Sequence, residues 1–354
     1  MVASPGRSQG KAGLSAEETH RRADRSGAVS LRAGRLRVAA LVTGLAVVLS
    51  IYALWPAPRR GLVLYTTSKT DMALAQEFER TSGIPVTVIP LSTGPMLARI
   101  AAEADRPRWS MAWIEGDISA AALDRAGLLE HDIVPSARWT PLGRSLLPTN
   151  GAWVPTGTTM ASVQLTRPGA TGPTGMPDPA ISGPAFPELA GLLWQGGGWP
   201  QGQAVLRGMQ AAGLQVSPTN PAVVAELNAG HIGTALVQSA SAFALAHRDP
   251  TVRVTIPKPV FLMPSVLMIA KGTSTAERAQ ARRFVVFALS MRAHTLRLTK
   301  GTTDRFFWPL IEGRGALPDL PPLAELPIVH LDPYDWAARQ AEITNWFEGR
   351  IAQR

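Results

Sequence analysis

At 354 residues, 45% of them hydrophobic and 17% charged, the chain can build two domains with substantial cores and is too apolar to be disordered overall. Its formal charge of +9 resembles a nucleic-acid signal until the charge is located. Residues 1–37 carry Arg7, Lys11, Arg21, Arg22, Arg25, Arg32, Arg35 and Arg37 against Glu17, Glu18 and Asp24, and Arg59 and Arg60 follow; removing those ten bases and three acids from totals of 35 and 26 leaves 25 and 23, so residues 61–354 are nearly neutral and no nucleic-acid partner is indicated.

The first element after the basic tail is Val38–Trp55, an uncharged run between Arg35 and Arg37 on one side and Arg59 and Arg60 on the other. As a helix it reaches roughly 27 Å, about the thickness of a bilayer core. The positive-inside rule keeps residues 1–37 in the cytoplasm and sends the rest across, with Tyr52 and Trp55 at the outer interface. The long leader and the exit Tyr52-Ala53-Leu54-Trp55-Pro56 fit a cleaved signal peptide poorly, and Arg21-Arg22 lies too far upstream for a twin-arginine signal. The expectation is a single-pass bacterial inner-membrane anchor with the globular part in the periplasm. Cysteine is absent, which removes disulfides and thiolate metal sites.

Three units then repeat one rhythm of apolar run, polar cluster and helical pattern. Leu62-Val63-Leu64 leads to Tyr65, Thr66, Thr67 and Ser68, then Leu74, Ala75 and Phe78 before Gly83; Ile84–Ile89 leads to Ser92, Thr93 and Gly94, then Met96, Leu97 and Ile100; Met111–Ile114 leads to Glu115, Gly116 and Asp117, then Ala122 and Leu123 before Gly127. Strands alternating with helices predict a largely parallel sheet, whose ligands sit beyond the carboxyl ends of the strands. All three polar clusters fall there.

Further on, Met160–Leu165 reads as a strand, Arg167–Met176 as a loop, and Ala185–Trp194 as a helix opened by Ser182, Gly183 and Pro184. Asp178, between two prolines, reads as a turn residue. Helices near Gln201–Ala212 and Pro221–Asn228 precede the strand Thr234–Val237, after which come Gln238 and Ser239. A strand from Phe261 to Ala270, one long helix from Thr275 to about Arg297, a proline-rich connection over 318–327 and an amphipathic helix with Trp336, Ile343, Trp346 and Phe347 complete the chain.

From Leu62 to Leu298 the chain resembles the type 2 bacterial periplasmic solute-binding proteins, in the branch related to ferric-iron, thiamine and aminoethylphosphonate uptake. The resemblance rests on Leu62–Thr67 with Phe78–Val86, Leu97–Ile100, Ala126–Leu129, Pro177-Asp178-Pro179 with Ser182-Gly183, Asn228-Ala229-Gly230, and Ala270–Thr273 leading into Ala281–Ser290. It implies an α/β fold in two lobes, each a mainly parallel sheet flanked by helices. Lobe one would combine residues 61–155 and 262–354, and lobe two 156–261, joined by a hinge and serving the permease of an ABC transporter. In the ferric-iron members a tyrosine pair holds the metal; the corresponding positions here are Ala240 and Ser241, which cannot act as phenolates.

The candidate ligand-binding residues are therefore Tyr65, Thr66, Thr67, Ser68, Ser92, Thr93, Gly94, Glu115 and Asp117 on lobe one, answered by Ser182, Gly183, Gln238 and Ser239 on lobe two. Helix starts with hydroxyl caps can hold a small anion, whereas Glu115 and Asp117 suit an amine; each cap residue also has the plainer role of closing its own helix. The scattered histidines form no H-x-x-x-H pair, and no G-x-S-x-G elbow is present. The reading is a monomeric, non-enzymatic binder of a small polar organic solute (a phosphonate, organophosphate, polyamine or amino-acid-like molecule), with no cofactor or metal. A ligand-sensing or assembly module on the same fold is the competing reading, and an enzyme on a bilobal scaffold a further one.

Overall fold

The structure, a computed structural model, describes residues 61–352. The basic tail and the anchor expected at Val38–Trp55 lie outside the described residues, and among these no helix is long and apolar enough to cross a membrane.

In chain order the elements are β1 (Leu62–Thr66), α1 (Thr70–Ser82), β2 (Val86–Pro90), α2 (Thr93–Ala102), β3 (Met111–Glu115), α3 (Asp117–Arg125), α4 (Pro141–Ser145), β4 (Trp153–Met160), β5 (Val163–Thr166), β6 (Thr174–Pro177), α5 (Ala185–Gln195), α6 (Gln203–Ala211), β7 (Gln215–Ser217), α7 (Asn220–Ala229), β8 (Thr234–Val237), α8 (Ser239–Arg248), β9 (Arg253–Thr255), β10 (Val260–Ile269), α9 (Thr275–Ala288), α10 (Met291–Lys300), β11 (Ile328–Val329), α11 (Pro333–Ala337) and α12 (Gln340–Phe347). The first sheet has the order β11-β10-β3-β1-β2, with β4 also paired to β10; the second has the order β7-β6-β8-β5-β9.

Within the first sheet, β1, β2 and β3 are parallel, as the crossover helices α1 and α2 require, while β10 runs antiparallel to β3 and β4. Both faces are covered, so β3 and β10 read as continuous apolar runs rather than alternating ones. Successive residues of β1 still separate: Leu62 and Leu64 join a core with Phe78, Trp113 and Phe284, whereas Tyr65 joins Met96, Trp109 and Ile114 on the opposite face. Phe284 packs edge-on against Phe78 at 5.0 Å and Trp113 at 6.2 Å between ring centres. The stops expected at Gly83 and Gly230 are left-handed C-caps, with φ of 71° and 77°.

Two elements differ from expectation. The strand expected over Met160–Leu165 is two strands in two sheets: β4 ends at Met160, the Ala161 amide donates to the Phe261 carbonyl at 2.8 Å, and β5 begins at Val163. Continuous apolar character gives no sign of that crossing. The long helix expected from Thr275 to Arg297 is α9 and α10, because the Ser290 hydroxyl accepts the Ala293 amide at 3.2 Å and starts a second helix.

Replacing the fully buried Phe284 by Ala should lower stability by about 3–5 kcal/mol, because the cavity opens where three aromatic rings meet. Gly157 has no room for a side chain, since a Cβ there would lie 2.6 Å from the Phe307 ring and 3.3 Å from Arg297 Nη1. Gly157→Ala should cost about 1–3 kcal/mol. Urea unfolding monitored by tryptophan fluorescence measures both.

Candidate functional site

The carboxyl ends of β1 and β3 lie side by side, with Thr66 in register with Trp113. Beyond them the chain folds back over its own polar groups. The Thr66 hydroxyl donates to the Asp71 carboxylate and accepts the Ser68 amide at 3.0 Å, while the Ser68 hydroxyl accepts the Thr70 amide at 3.1 Å and donates to Asp304. The Thr67 amide donates to the Trp113 carbonyl at 3.2 Å. Asp71 and Asp304 were not expected here, and with Glu115 they place three carboxyls around the end of the sheet.

Between them stands Arg297 of α10, 6% exposed. Its Nη1 donates to the Thr156 carbonyl at 2.9 Å, and its guanidinium lies 3.8 Å above the centre of the Phe307 ring. Trp113 Nε1 donates at 3.1 Å to both Thr156 Oγ1 and Ser265 Oγ, which ties this floor to β4 and β10. Burial pushes the Asp71 carboxyl up to about 7 against the Thr66 hydrogen bond and the charge of Arg297. Burial likewise pushes Glu115 up to about 7, opposed by Arg297 and Ser265. Glu115 Oε2 is sealed from solvent and has no hydrogen-bond partner. The guanidinium of Arg297 is lowered by its own burial and supported by Glu115, Asp71 and Asp304.

The start of α2 and the loop before α5 touch. A methyl group on Gly94 would strike the Ala180 carbonyl, one on Gly183 would strike the Thr93 hydroxyl, and Pro187 Cγ lies 3.1 Å from where Gly116 would carry its Cβ. Small residues at these places let the backbones close on each other. The structure thus brings Thr93 and Gly94 against Gly183 and its neighbours. Asp178 supports its rim as a turn residue, accepting the Ala180 amide on Oδ1 at 2.9 Å and the Ser182 amide on its carbonyl at 2.8 Å. Ser92 is exposed and its side chain caps nothing.

Gln238 and Ser239 hold the end of β4. Ser239 Oγ accepts the Met160 amide at 2.9 Å, and Gln238 Nε2 donates to Thr159 Oγ1 at 3.1 Å while its own amide donates to Asn220 Oδ1 at 2.8 Å. Asn220 also reaches Ser182 Oγ at 3.5 Å. On α5 Glu188, next to Pro187, is 1% exposed with both carboxylate oxygens unpartnered; burial raises it well above the usual carboxylate range, with only Ser162 acting against that.

Two candidates are placed differently. Tyr65 points to the opposite face of β1, where its hydroxyl donates to Glu103 at 3.1 Å under the Arg99 guanidinium, and burial with Glu103 pushes its phenol up to about 12. Asp117 pairs with His330 at 2.7 Å. Burial works against a charge on His330, but the hydrogen bond and charge of Asp117 outweigh it and raise the imidazole. Neither partner was legible, because Glu103 stands 38 residues from Tyr65 and His330 stands 213 residues from Asp117. Asp71 had a local signal, an acid in the first turn after the polar cluster, whereas Arg297 and Asp304 had none.

The fold is shared widely. The chain aligns with iron-bound HitA from Pseudomonas aeruginosa at a TM-score of 0.66 and 21% identity, covering 80% of this chain and 98% of that one. It aligns with the periplasmic binding protein AfuA from Actinobacillus pleuropneumoniae, with exogenous fructose-6-phosphate bound, at 0.69 and 15%, covering 83% and 99%. A ferric binding protein from Campylobacter jejuni gives 0.65 and 13%, covering 81% and 98%. At such identities these likenesses establish the fold. No curated protein matches the chain in sequence. Residues 73–313, well over half of the 354, match the family model described as bacterial extracellular solute-binding protein, and the chain belongs to that family.

Proposed function

We propose that this protein captures a small polar organic solute between its lobes in the periplasm and passes it to the permease of an ABC importer, with Val38–Trp55 as its tether to the inner membrane. The observation that carries the reading is the pair of touching rims, Thr93–Gly94 against Ala180–Gly183, beside a floor of ionisable groups. Two sheets joined by the crossings at residues 161–162 and 256–259 can open and close as a hinge, and a solute that contacts both rims favours the closed form by its difference in affinity. The reading needs no chemistry.

Iron fits the floor poorly. The positions of the tyrosine pair hold Ala240 and Ser241, Tyr65 and Tyr334 are committed to Glu103 and Asp124, and among the described residues no group of three or more His, Asp or Glu side chains is arranged to hold a metal. Organic solutes with several hydrogen-bonding groups suit the site better.

A thermal-shift screen of the full chain in detergent micelles, using phosphonates, sugar phosphates, polyamines and amino acids, tests the reading. A solute at 100 times its dissociation constant should add about 2.7 kcal/mol of stability. Gly183→Val, which sets a branched side chain against Thr93, should hold the lobes apart and weaken that solute at least about tenfold with little change in melting temperature. A parent-like affinity in this variant, or no stabilisation by any class, contradicts the proposal.

A further inference from the structure

We infer that the surface formed by the end of α1, the outer side of α9 and the start of α10 docks on an anionic phospholipid bilayer. This rests on the tether in the reading above and names what the tethered domain lies against. Between α1 and α9 is an open groove of about 490 Å³, lined among others by Phe78, Thr81, Ser82, Val286 and Phe287. Beside it Val286 and Met291 are 56% and 54% exposed, two of only four large hydrophobic side chains left open to solvent among the described residues. An apolar groove edged by exposed apolar side chains marks an interaction surface, whereas the same side chains scattered singly would not. The surrounding charge is basic. Arg80 and Arg292 share one acid, Glu77, which lies 2.7 Å from Arg80. Arg282 donates to the backbone carbonyls of His131 and Asp132, which leave its charge unneutralised. Arg283 is exposed and lines the groove, and among the described residues no acid pairs with it.

Chain connectivity selects the bilayer as the occupant. Gly61 opens the described structure and packs so closely on Pro85 that a Cβ there would lie 2.6 Å from the Pro85 carbonyl oxygen. Pro85 comes three residues after Ser82, which lines the groove, so the chain enters the fold beside it. Trp55, the last residue of the uncharged run, precedes Gly61 by six residues, a reach of at most about 22 Å when fully extended. A surface tethered that close to a membrane meets it at high effective concentration. Counting Arg59 and Arg60 on the connecting segment, six arginines are set against the acids Glu77, Glu79 and Asp132. Arginine lays its stem along apolar surface and carries its guanidinium to a phosphate, while side chains such as Val286 and Met291 enter the headgroup boundary. An acidic polypeptide would match the charge equally well, but the chain does not hold one at this face.

Spin-label accessibility in the full chain reconstituted into lipid nanodiscs tests this. The chain has no cysteine, so Val286→Cys and Met291→Cys each place one nitroxide on the face, and Arg207→Cys on α6 gives an exposed reference. In discs containing phosphatidylglycerol, collisions of the two face labels with a water-soluble nickel chelate should fall at least about threefold relative to phosphatidylcholine discs, with the reference label unchanged. Salt at about 1 M, where the Debye length is about 3 Å, should reverse most of that fall, and so should Arg283→Glu. Face labels equally open to the chelate in both kinds of disc overturn the inference and leave the tether standing. Shielding of the same size in phosphatidylcholine discs and at high salt means that protein, such as a second copy of the chain, covers the face, and it also overturns the inference. A full chain that does not stay with the discs removes the tether and the inference together, while solute capture is read independently by the thermal-shift screen.

Discussion

A buried arginine organises the cleft. Taking a guanidinium out of water is expensive, and Arg297 remains inside because a carbonyl and an aromatic face take up its donors and plane while the charges of Glu115, Asp71 and Asp304 favour its cation. Its supports come from separate parts of the chain: Thr156 on β4, Phe307 on the segment paired to that strand through Thr158 and Trp308, Asp71 on α1, Glu115 at the end of β3 and Asp304 after α10. Gly157 leaves the space in which Arg297 and Phe307 stack. The ends of β1 and β3 and the middle of β4 are consequently one packed unit.

The carboxyl-terminal segment adds a further tie. Tyr334 of α11 donates to Asp124 at 2.7 Å and lies against Trp153. Beyond it, Trp346 packs on Trp199, Glu342 accepts from Trp199 Nε1 at 3.1 Å, and the carbonyl of Arg350 accepts from Gln210 at 2.7 Å. Ile118 shares an apolar cluster with Phe186, Leu206, Trp336 and Phe347. One short stretch thus packs both on α3 and β4 and on the segment leading into α6.

Much of the fold was legible because local rules and the tertiary structure agree. The α/β rhythm, the glycine stops and the polar clusters at strand ends follow from the periodicity of apolar residues and from turn chemistry. Ser68 and Glu115 were placed at strand ends because the end of a parallel strand is where a sheet presents polar groups. Tyr65 was misplaced by one residue of pleat: it belongs to β1 and alternates away from the cleft. Asp117 was read as a ligand group because the imidazole that takes it up arrives from the far end of the chain. The break at Ser290 was hidden within a continuous amphipathic pattern, and Arg297 looked like one more basic residue on a surface helix. Burial of a charge is decided by long-range packing, which a single sequence does not display.

The central claim is that two lobes close on a solute. Because the chain has no cysteine, Glu79→Cys and Arg207→Cys, at exposed positions of α1 and α6, give two unique attachment sites for spin labels, one on each lobe. Pulsed electron–electron resonance on that pair, with and without a stabilising solute, reads the clamp directly. The account predicts a broad or longer distance distribution in the free protein that narrows to a shorter distance on binding; one unchanged distribution in both states would contradict it.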